Sequence, residues 1–325
     1  MSVKVLITSL SFGKVVKEPV RFLEAKGYKL LWNEVGRPLT DAELSERVRG
    51  VDALIVGSDK VGEKTFSFAD KLKIVARYGV GIDNVDVKKA TQKKIIVTNT
   101  PAANFDAVAD LTFGLILASA RFIPQADREV KEGGWRRFYG YSVWGKTLGI
   151  VGMGNIGLAV AKRARGFNME VLYTDIRENP EAEKIGARKV ELDFLLKNSD
   201  FVSLHLPLTS KTRNFIGEKE LSSMKPTSFL INTARGGIVD EKALYRYLKE
   251  KKIAGAALDT YSEEPPPRNC PILSLDNVIT TPHIGAYTYE ALYNMGMMAA
   301  ESVVEAIEGR RPKYIINPEV YDNSF

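Results

Sequence analysis

The run Leu148-Gly149-Ile150-Val151-Gly152-Met153-Gly154-Asn155-Ile156-Gly157 constrains this chain more than any other feature. Three glycines spaced G-x-G-x-x-G follow an apolar, strand-like stretch and open a segment, 155–165, that reads as a helix. In that context each glycine has a task. The first permits a tight turn, the second lets backbone approach a pyrophosphate, and the third lets the helix pack closely on the strand, while the helix N-terminus supplies N–H donors to the anion. A glycine turn in any α/β protein could share the spacing alone. Here Asp175 closes the next strand-like run, 18 residues beyond Gly157. A carboxylate there accepts hydrogen bonds from an adenosine ribose and repels a 2′-phosphate, so the pattern points to NAD rather than NADP. Arg177, two residues on, reads as a solvent-exposed charge.

The rest of the chain repeats the same alternation. Short Val- and Ile-rich runs at 3–8, 53–56, 74–76 and 95–98 alternate with longer amphipathic or loop segments, and a second series follows at 148–151, 171–173, 201–204, 229–232, 254–258 and 278–280. Continuous apolar runs fit parallel strands buried on both faces, so the fold class is α/β with helices on both sides. The six later strands fit one dinucleotide-binding sheet. Between the series, Val108, Leu111, Leu115 and Ala118 recur at helical spacing and predict one long helix over 101–130. In the tail, Leu292, Met295, Met298, Ala299, Val303 and Ile307 predict a helix over 289–309 that returns to the first lobe. At 325 residues two lobes are expected.

Composition removes several classes. Lys and Arg number 46 against 40 Asp and Glu, a formal charge of +6. These charges are interspersed and form no basic block, so nucleic acid is not expected as a partner. The longest apolar stretch, 111–120, is interrupted by Thr112 and Ser119 and falls short of the ~20 residues that span a bilayer, so no membrane is expected either. Residues 1–10 read as a strand without a basic n-region, and the expected location is cytoplasmic. One cysteine, Cys270, and two histidines are too few for a zinc cluster, so no metal is expected.

A histidine acid or base must be His205 or His283. His205 ends the apolar strand at 201–204 and reads as a packed structural residue. His283 follows Thr280-Thr281-Pro282 at the exit of the last strand, on the carboxyl edge where open α/β sheets face their ligands. Arg235 leaves the strand at 229–232 and is followed by Gly236-Gly237, where slim backbone suits a ligand-facing turn. Glu264 follows the strand ending near Asp259. Three strand exits therefore deliver an arginine, a glutamate and a histidine to one edge.

Five segments carry a family resemblance: Ala76-Arg77-Tyr78-Gly79-Val80-Gly81-Ile82-Asp83-Asn84-Val85-Asp86; 148–157; Asn232-Thr233-Ala234-Arg235-Gly236-Gly237-Ile238-Val239-Asp240; Gly255-Ala256-Ala257-Leu258-Asp259 through Glu264-Pro265; and Thr281-Pro282-His283-Ile284-Gly285-Ala286. In that order they resemble the signature segments of the D-isomer-specific 2-hydroxyacid dehydrogenases, with the closest likeness to D-3-phosphoglycerate dehydrogenases. The resemblance implies a Rossmann-type NAD-binding domain, 99–287, inserted in a discontinuous flavodoxin-like substrate domain, 1–98 with 288–325. It implies a catalytic trio of Arg235, Glu264 and His283. Gly152, Gly154, Asn155, Ile156, Gly157, Asp175, Leu206, Pro207, Thr233, Ala234, Asp259 and Gly285 would line NAD. Gly79, Val80 and Gly81 would offer backbone N–H groups to a substrate carboxylate, with Arg235 gripping it as well. It also implies a homodimer joined through the 101–130 helix.

The implied chemistry is reversible hydride transfer between NAD(H) and a small 2-oxo or 2-hydroxy acid. His283 exchanges the hydroxyl proton, Glu264 beside it favours imidazolium, and the permanently charged Arg235 stabilises the 2-oxo oxygen. D-3-phosphoglycerate with 3-phosphohydroxypyruvate is the first expectation for the substrate, and a glyoxylate or hydroxypyruvate reductase is the alternative. Phosphoglycerate dehydrogenases carry an arginine in a first-lobe loop to grip phosphate. The matching stretch here, Leu54-Ile55-Val56-Gly57-Ser58-Asp59-Lys60, has glycine in its place and one residue fewer, with Lys60 as a substitute charge. An alternative of another class is an NAD-binding co-repressor-like module. Formate dehydrogenases resemble the family too, but they carry glutamine where Glu264 stands.

Overall fold

A computed structural model describes residues 2–322, which divide into two compact units. One runs through Asn104 and resumes at Tyr287, and the other is Phe105–Ala286.

In the first unit the strands are β1 (Lys4–Ile7), β2 (Lys29–Trp32), β3 (Ala53–Val56), β4 (Ile74–Arg77) and β5 (Ile96–Thr98). They pair in the order β2-β1-β3-β4-β5, every neighbour parallel. This is the flavodoxin-like order, in which the connections change direction between β1 and β3 and leave a crevice at the carboxyl ends of those strands. Side chains alternate across the sheet. Leu6, Leu54, Val56, Val75 and Val97 join a core with Leu44 and Phe66, while Val5, Ile7, Ile55, Ile74 and Ala76 are buried on the other face. The helix Tyr289–Ile307 packs on β3, β4 and β5 and lies against Glu18–Ala25. β2 went unrecognised in the sequence because its lysine and tryptophan ends are exposed and its run is short. After the long helix the chain is pinned to the sheet edge by Asn317, 1% exposed. Its side chain accepts from Val97 N (2.7 Å) and donates to Ile95 O (2.9 Å) and Thr91 Oγ1 (3.0 Å).

The second unit holds β6 (Thr147–Val151), β7 (Glu170–Thr174), β8 (Arg188–Lys189), β9 (Phe201–Leu204), β10 (Phe229–Asn232), β11 (Gly255–Leu258) and β12 (Val278–Thr280). The order is β12-β11-β10-β9-β6-β7-β8, all parallel. This is the dinucleotide-binding order with one strand added beyond the sixth. Six strands are expected from the sequence and seven are present. The strand not expected, β8, is a two-residue edge strand of exposed basic residues with no apolar signal to read. Alternation again splits the core. Leu148, Ile150, Phe201, Phe229, Ile231 and Ala257 face one hydrophobic layer, and Val151, Val202, Leu204, Leu230, Ala256 and Leu258 face the other.

One expectation is corrected. The single helix over 101–130 is two helices, Phe105–Arg121 and Ile123–Lys131, bent by 64°. Phe122 takes a left-handed conformation at φ 54°, and Pro124, in the first turn of the second helix, lacks the N–H that would continue the first. Apolar periodicity runs through the break because it does not register backbone sign. Among the described residues no single helix is long and apolar enough to cross a membrane.

Replacing Asn317 by Ala leaves the Val97 amide and the Ile95 carbonyl buried without partners, and should cost about 1–3 kcal/mol. Urea denaturation checks this, and an unchanged midpoint would contradict the pinning role.

Candidate active site

The glycine turn lies between β6 and the helix Asn155–Ala164. Gly152 has φ 98°, and a Cβ there would stand 2.6 Å from His205 O. A Cβ on Gly157 would collide with Gly152 O, so this glycine lets the helix close on the strand. Gly154 is different. It is exposed, a Cβ would meet nothing within 4 Å, and as N-cap it brings no side chain to the first helical amides. An open space in front of uncapped N–H groups is what a pyrophosphate requires. Asn155 is exposed beside it, while Ile156 packs partly into the core. Asp175, at the end of β7, accepts from Met153 N (2.7 Å) and Arg177 N (3.1 Å), which fixes its carboxylate over the turn. Leu206 is half-buried next to Gly152 and Pro207 is exposed. These residues fit a dinucleotide with an unphosphorylated ribose.

At the carboxyl edge of β10, β11 and β12 the structure brings the arginine, glutamate and histidine together. His283 Nδ1 lies 2.7 Å from Glu264 Oε2. Burial pushes the Glu264 carboxyl up. The hydrogen bond and charge of His283, the Tyr261 amide and the Arg235 guanidinium outweigh it and hold the group below its ordinary value. A carboxyl so depressed stays ionised at neutral pH, and its stabilising effect is lost only as pH falls from the unfolded value through the folded one. Arg235 donates from Nη1 to Ala234 O (2.8 Å), and Asn232 Nδ2 donates to Arg235 O (2.9 Å). Gly236 packs so tightly under Tyr261 that a Cβ would collide with the Tyr261 carbonyl group.

His283 has φ 53°, a left-handed conformation that costs a non-glycine residue about 1–2 kcal/mol. Its turn is held by Asp259, which has no exposed surface. That carboxylate accepts from Thr281 Oγ1 (2.5 Å), Ile284 N (2.8 Å) and Gly285 N (2.8 Å). Tyr261 adds a hydroxyl that lies 3.1 Å from both Leu258 O and Thr281 O, its single proton shared between them, and an amide that donates to Glu264 Oε1 at 3.1 Å. Burial pushes the phenol up to about 12, so it remains a donor. Sequence reasoning singled out neither Tyr261 nor Thr281, since a loop tyrosine and a strand-end threonine carry no periodic signal.

The remaining candidates divide. His205 Nε2 meets Ser203 Oγ at 2.9 Å, and its Nδ1 is sealed from solvent, though part of the residue stays accessible. Burial pushes its pKa down to about 3, so it is neutral and structural at ordinary pH. Thr233 turns its hydroxyl to Thr112 Oγ1 (2.9 Å) on the helix Phe105–Arg121. Ala234 N donates to Asn232 Oδ1 (3.1 Å).

In the first unit, Gly79 follows β4 at φ 134°, and the Arg77 guanidinium fills the space a Cβ would need. The carbonyls of Tyr78, Gly79 and Val80 accept from Arg77 Nη1, Thr100 N and Asn99 Nδ2, which fixes the turn running on to Gly81. After β3, Asp59 is 1% exposed. It accepts from three neutral donors, Thr8 Oγ1 (2.7 Å), Leu39 N (2.8 Å) and Gly57 N (3.1 Å). A Cβ on Gly57 would press on Ser9, 3.2 Å from its Oγ. Lys60 is exposed.

Residues 113–285 match the family model of the D-isomer specific 2-hydroxyacid dehydrogenase, NAD binding domain. Over its whole length the chain is 45% identical to a glyoxylate reductase of Thermococcus litoralis, covering 99% of that protein. It is 44% identical over 97% of its length to a D-3-phosphoglycerate dehydrogenase of Methanocaldococcus jannaschii, covering 59% of that longer protein. Its fold matches the D-lactate dehydrogenase of Aquifex aeolicus complexed with NAD and lactic acid at a TM-score of 0.85 and 30% identity, covering 96% of this chain and 98% of that one. A dinucleotide turn that fits NAD, two doubly wound parallel sheets and this likeness lead to one statement: the chain belongs to the D-isomer-specific 2-hydroxyacid dehydrogenase family, as an NAD-dependent oxidoreductase acting on a CH–OH group.

Proposed function

We propose that the chain reduces a small, unphosphorylated 2-oxo acid of the glyoxylate kind, with His283 as proton donor, Glu264 as its partner and Arg235 as the carboxylate and oxyanion ligand. The 2.7 Å contact between His283 and Glu264, in reach of the Arg235 charge, carries this reading. NADH, when bound, supplies the hydride. Glu264 engages Nδ1 at 2.7 Å, which leaves Nε2 to give a proton to the developing alkoxide. Arg235, always charged, opposes the negative charge that builds on the 2-oxo oxygen. Gly154, Asn155 and Ile156 at the helix N-terminus hold the pyrophosphate, and Asp175 the ribose. With its carbonyls engaged, the turn at Gly79, Val80 and Gly81 keeps its amides available to a carboxylate.

Two observations favour an unphosphorylated acid: glycine at position 57, where an added side chain would press on Ser9, and the buried Asp59 carboxylate beside it, whose partners are neutral donors. A dianionic phosphate near that carboxylate would be repelled. The second reading is 3-phosphohydroxypyruvate, for which Lys60 and the 44% identical Methanocaldococcus relative speak. A homodimer through the bent helix pair is also part of the proposal, since Ile123 and Val130 on its second helix and Trp135, Tyr139 and Trp144 in the segment that follows are exposed.

Rates with NADH on glyoxylate, hydroxypyruvate, pyruvate and 3-phosphohydroxypyruvate separate the readings, and no turnover of any 2-oxo acid would favour a co-repressor-like binding module. His283→Ala should lower kcat by about 10² to 10⁴, the usual scale of general acid catalysis. Because reduction takes up one proton and oxidation releases one, raising the pH should disfavour reduction and favour oxidation, read from initial rates in both directions. Glu264→Gln keeps the size of the side chain but removes the carboxylate at Nδ1, and should lower kcat for reduction by about tenfold or more, read at saturating NADH. Asp175→Ser should narrow the preference for NADH over NADPH by about tenfold or more, in line with one removed repulsion.

A further inference from the structure

The turn that carries His283 is held unevenly. Downstream of the imidazole, the amides of Ile284 and Gly285 both donate to Asp259. Upstream, Pro282 brings no donor. The chain there is fixed through Thr281: its N–H donates to Leu258 O (3.0 Å), its hydroxyl to Asp259 Oδ1 (2.5 Å), and its carbonyl accepts from the Tyr261 hydroxyl (3.1 Å). Two hydroxyls therefore brace the side of a residue whose own backbone is left-handed. Both oxygens of Asp259 are committed to this turn.

We propose that Thr281 and Tyr261 are positioning residues for the reaction: their hydroxyls, one through Asp259 and one through the Thr281 carbonyl, hold His283 in the strained conformation that keeps Nδ1 on Glu264. The proposal rests on the acid–base reading of His283 given above. Tyr261 serves both partners of the pair, since its amide also donates to Glu264 Oε1. Misplacing a reacting group by about 1 Å can cost about 10² in rate. Loosening the upstream side of the turn should therefore appear in the chemical step and leave cofactor affinity alone.

Four variants test this, assayed for glyoxylate reduction at saturating NADH on protein with wild-type circular dichroism. Thr281→Val should lower kcat by about 10- to 100-fold with the KM for NADH changed less than about twofold, and Thr281→Ser, which keeps the donor, should return kcat to within about threefold. Tyr261→Phe, which deletes one oxygen, should lower kcat by about three- to tenfold, and it decides alone if Thr281→Val does not fold. His283→Ala is the reference, and full activity there would remove the acid–base reading itself. If His283→Ala is crippled while the other variants keep wild-type kcat, positioning is wrong and the chemistry stands. Serine no better than valine, or a loss confined to the KM for NADH, would also overturn it.

Discussion

A carboxylate with no exposed surface organises the chemical edge of the second unit. Asp259 ends β11 and takes three hydrogen bonds from the turn after β12, so two neighbouring parallel strands are joined beyond the point where their own ladder stops. A buried charge is tolerable only when its acceptor capacity is filled, and here the donors that fill it are two backbone amides and a hydroxyl of the histidine turn. The Glu264–His283 contact and the left-handed backbone at 283 both presuppose that turn. The site is thus built by making the satisfaction of one buried group depend on the placement of another.

Parallel topology explains why residues so far apart in sequence can meet. In both sheets every strand points the same way, so all strand exits fall on one edge. Arginine, glutamate and histidine leave three adjacent strands, β10, β11 and β12, in spatial as well as sequential order. Slim backbone then permits close approach: Gly236 lies under Tyr261, and Gly152 lies against the chain at His205.

Much of this was legible from residue order. Strands buried on both faces announce themselves as unbroken apolar runs, and β3, β9 and β10 fall on the expected residues. The glycine turn and Asp175 were readable because their spacing reflects a ligand's dimensions. Two of the four edge strands were not: β2 and β8 pair along one side only and have no need of a continuous apolar run. The helix break at Phe122 leaves no trace in the sequence pattern because hydrophobic periodicity carries no information on the sign of φ. Thr233 illustrates a further limit. Its hydroxyl partner, Thr112, belongs to a helix that precedes β6, and no local pattern links the two.

The order of the elements has a cost during synthesis. All five strands of the first sheet emerge before Asn104, but the helix that packs on β3, β4 and β5 begins at Tyr289, after the whole second unit. While the ribosome makes the intervening chain, one apolar face of that sheet waits without its cover. The nascent first unit must be shielded by a chaperone or remain loosely assembled until its last helix arrives.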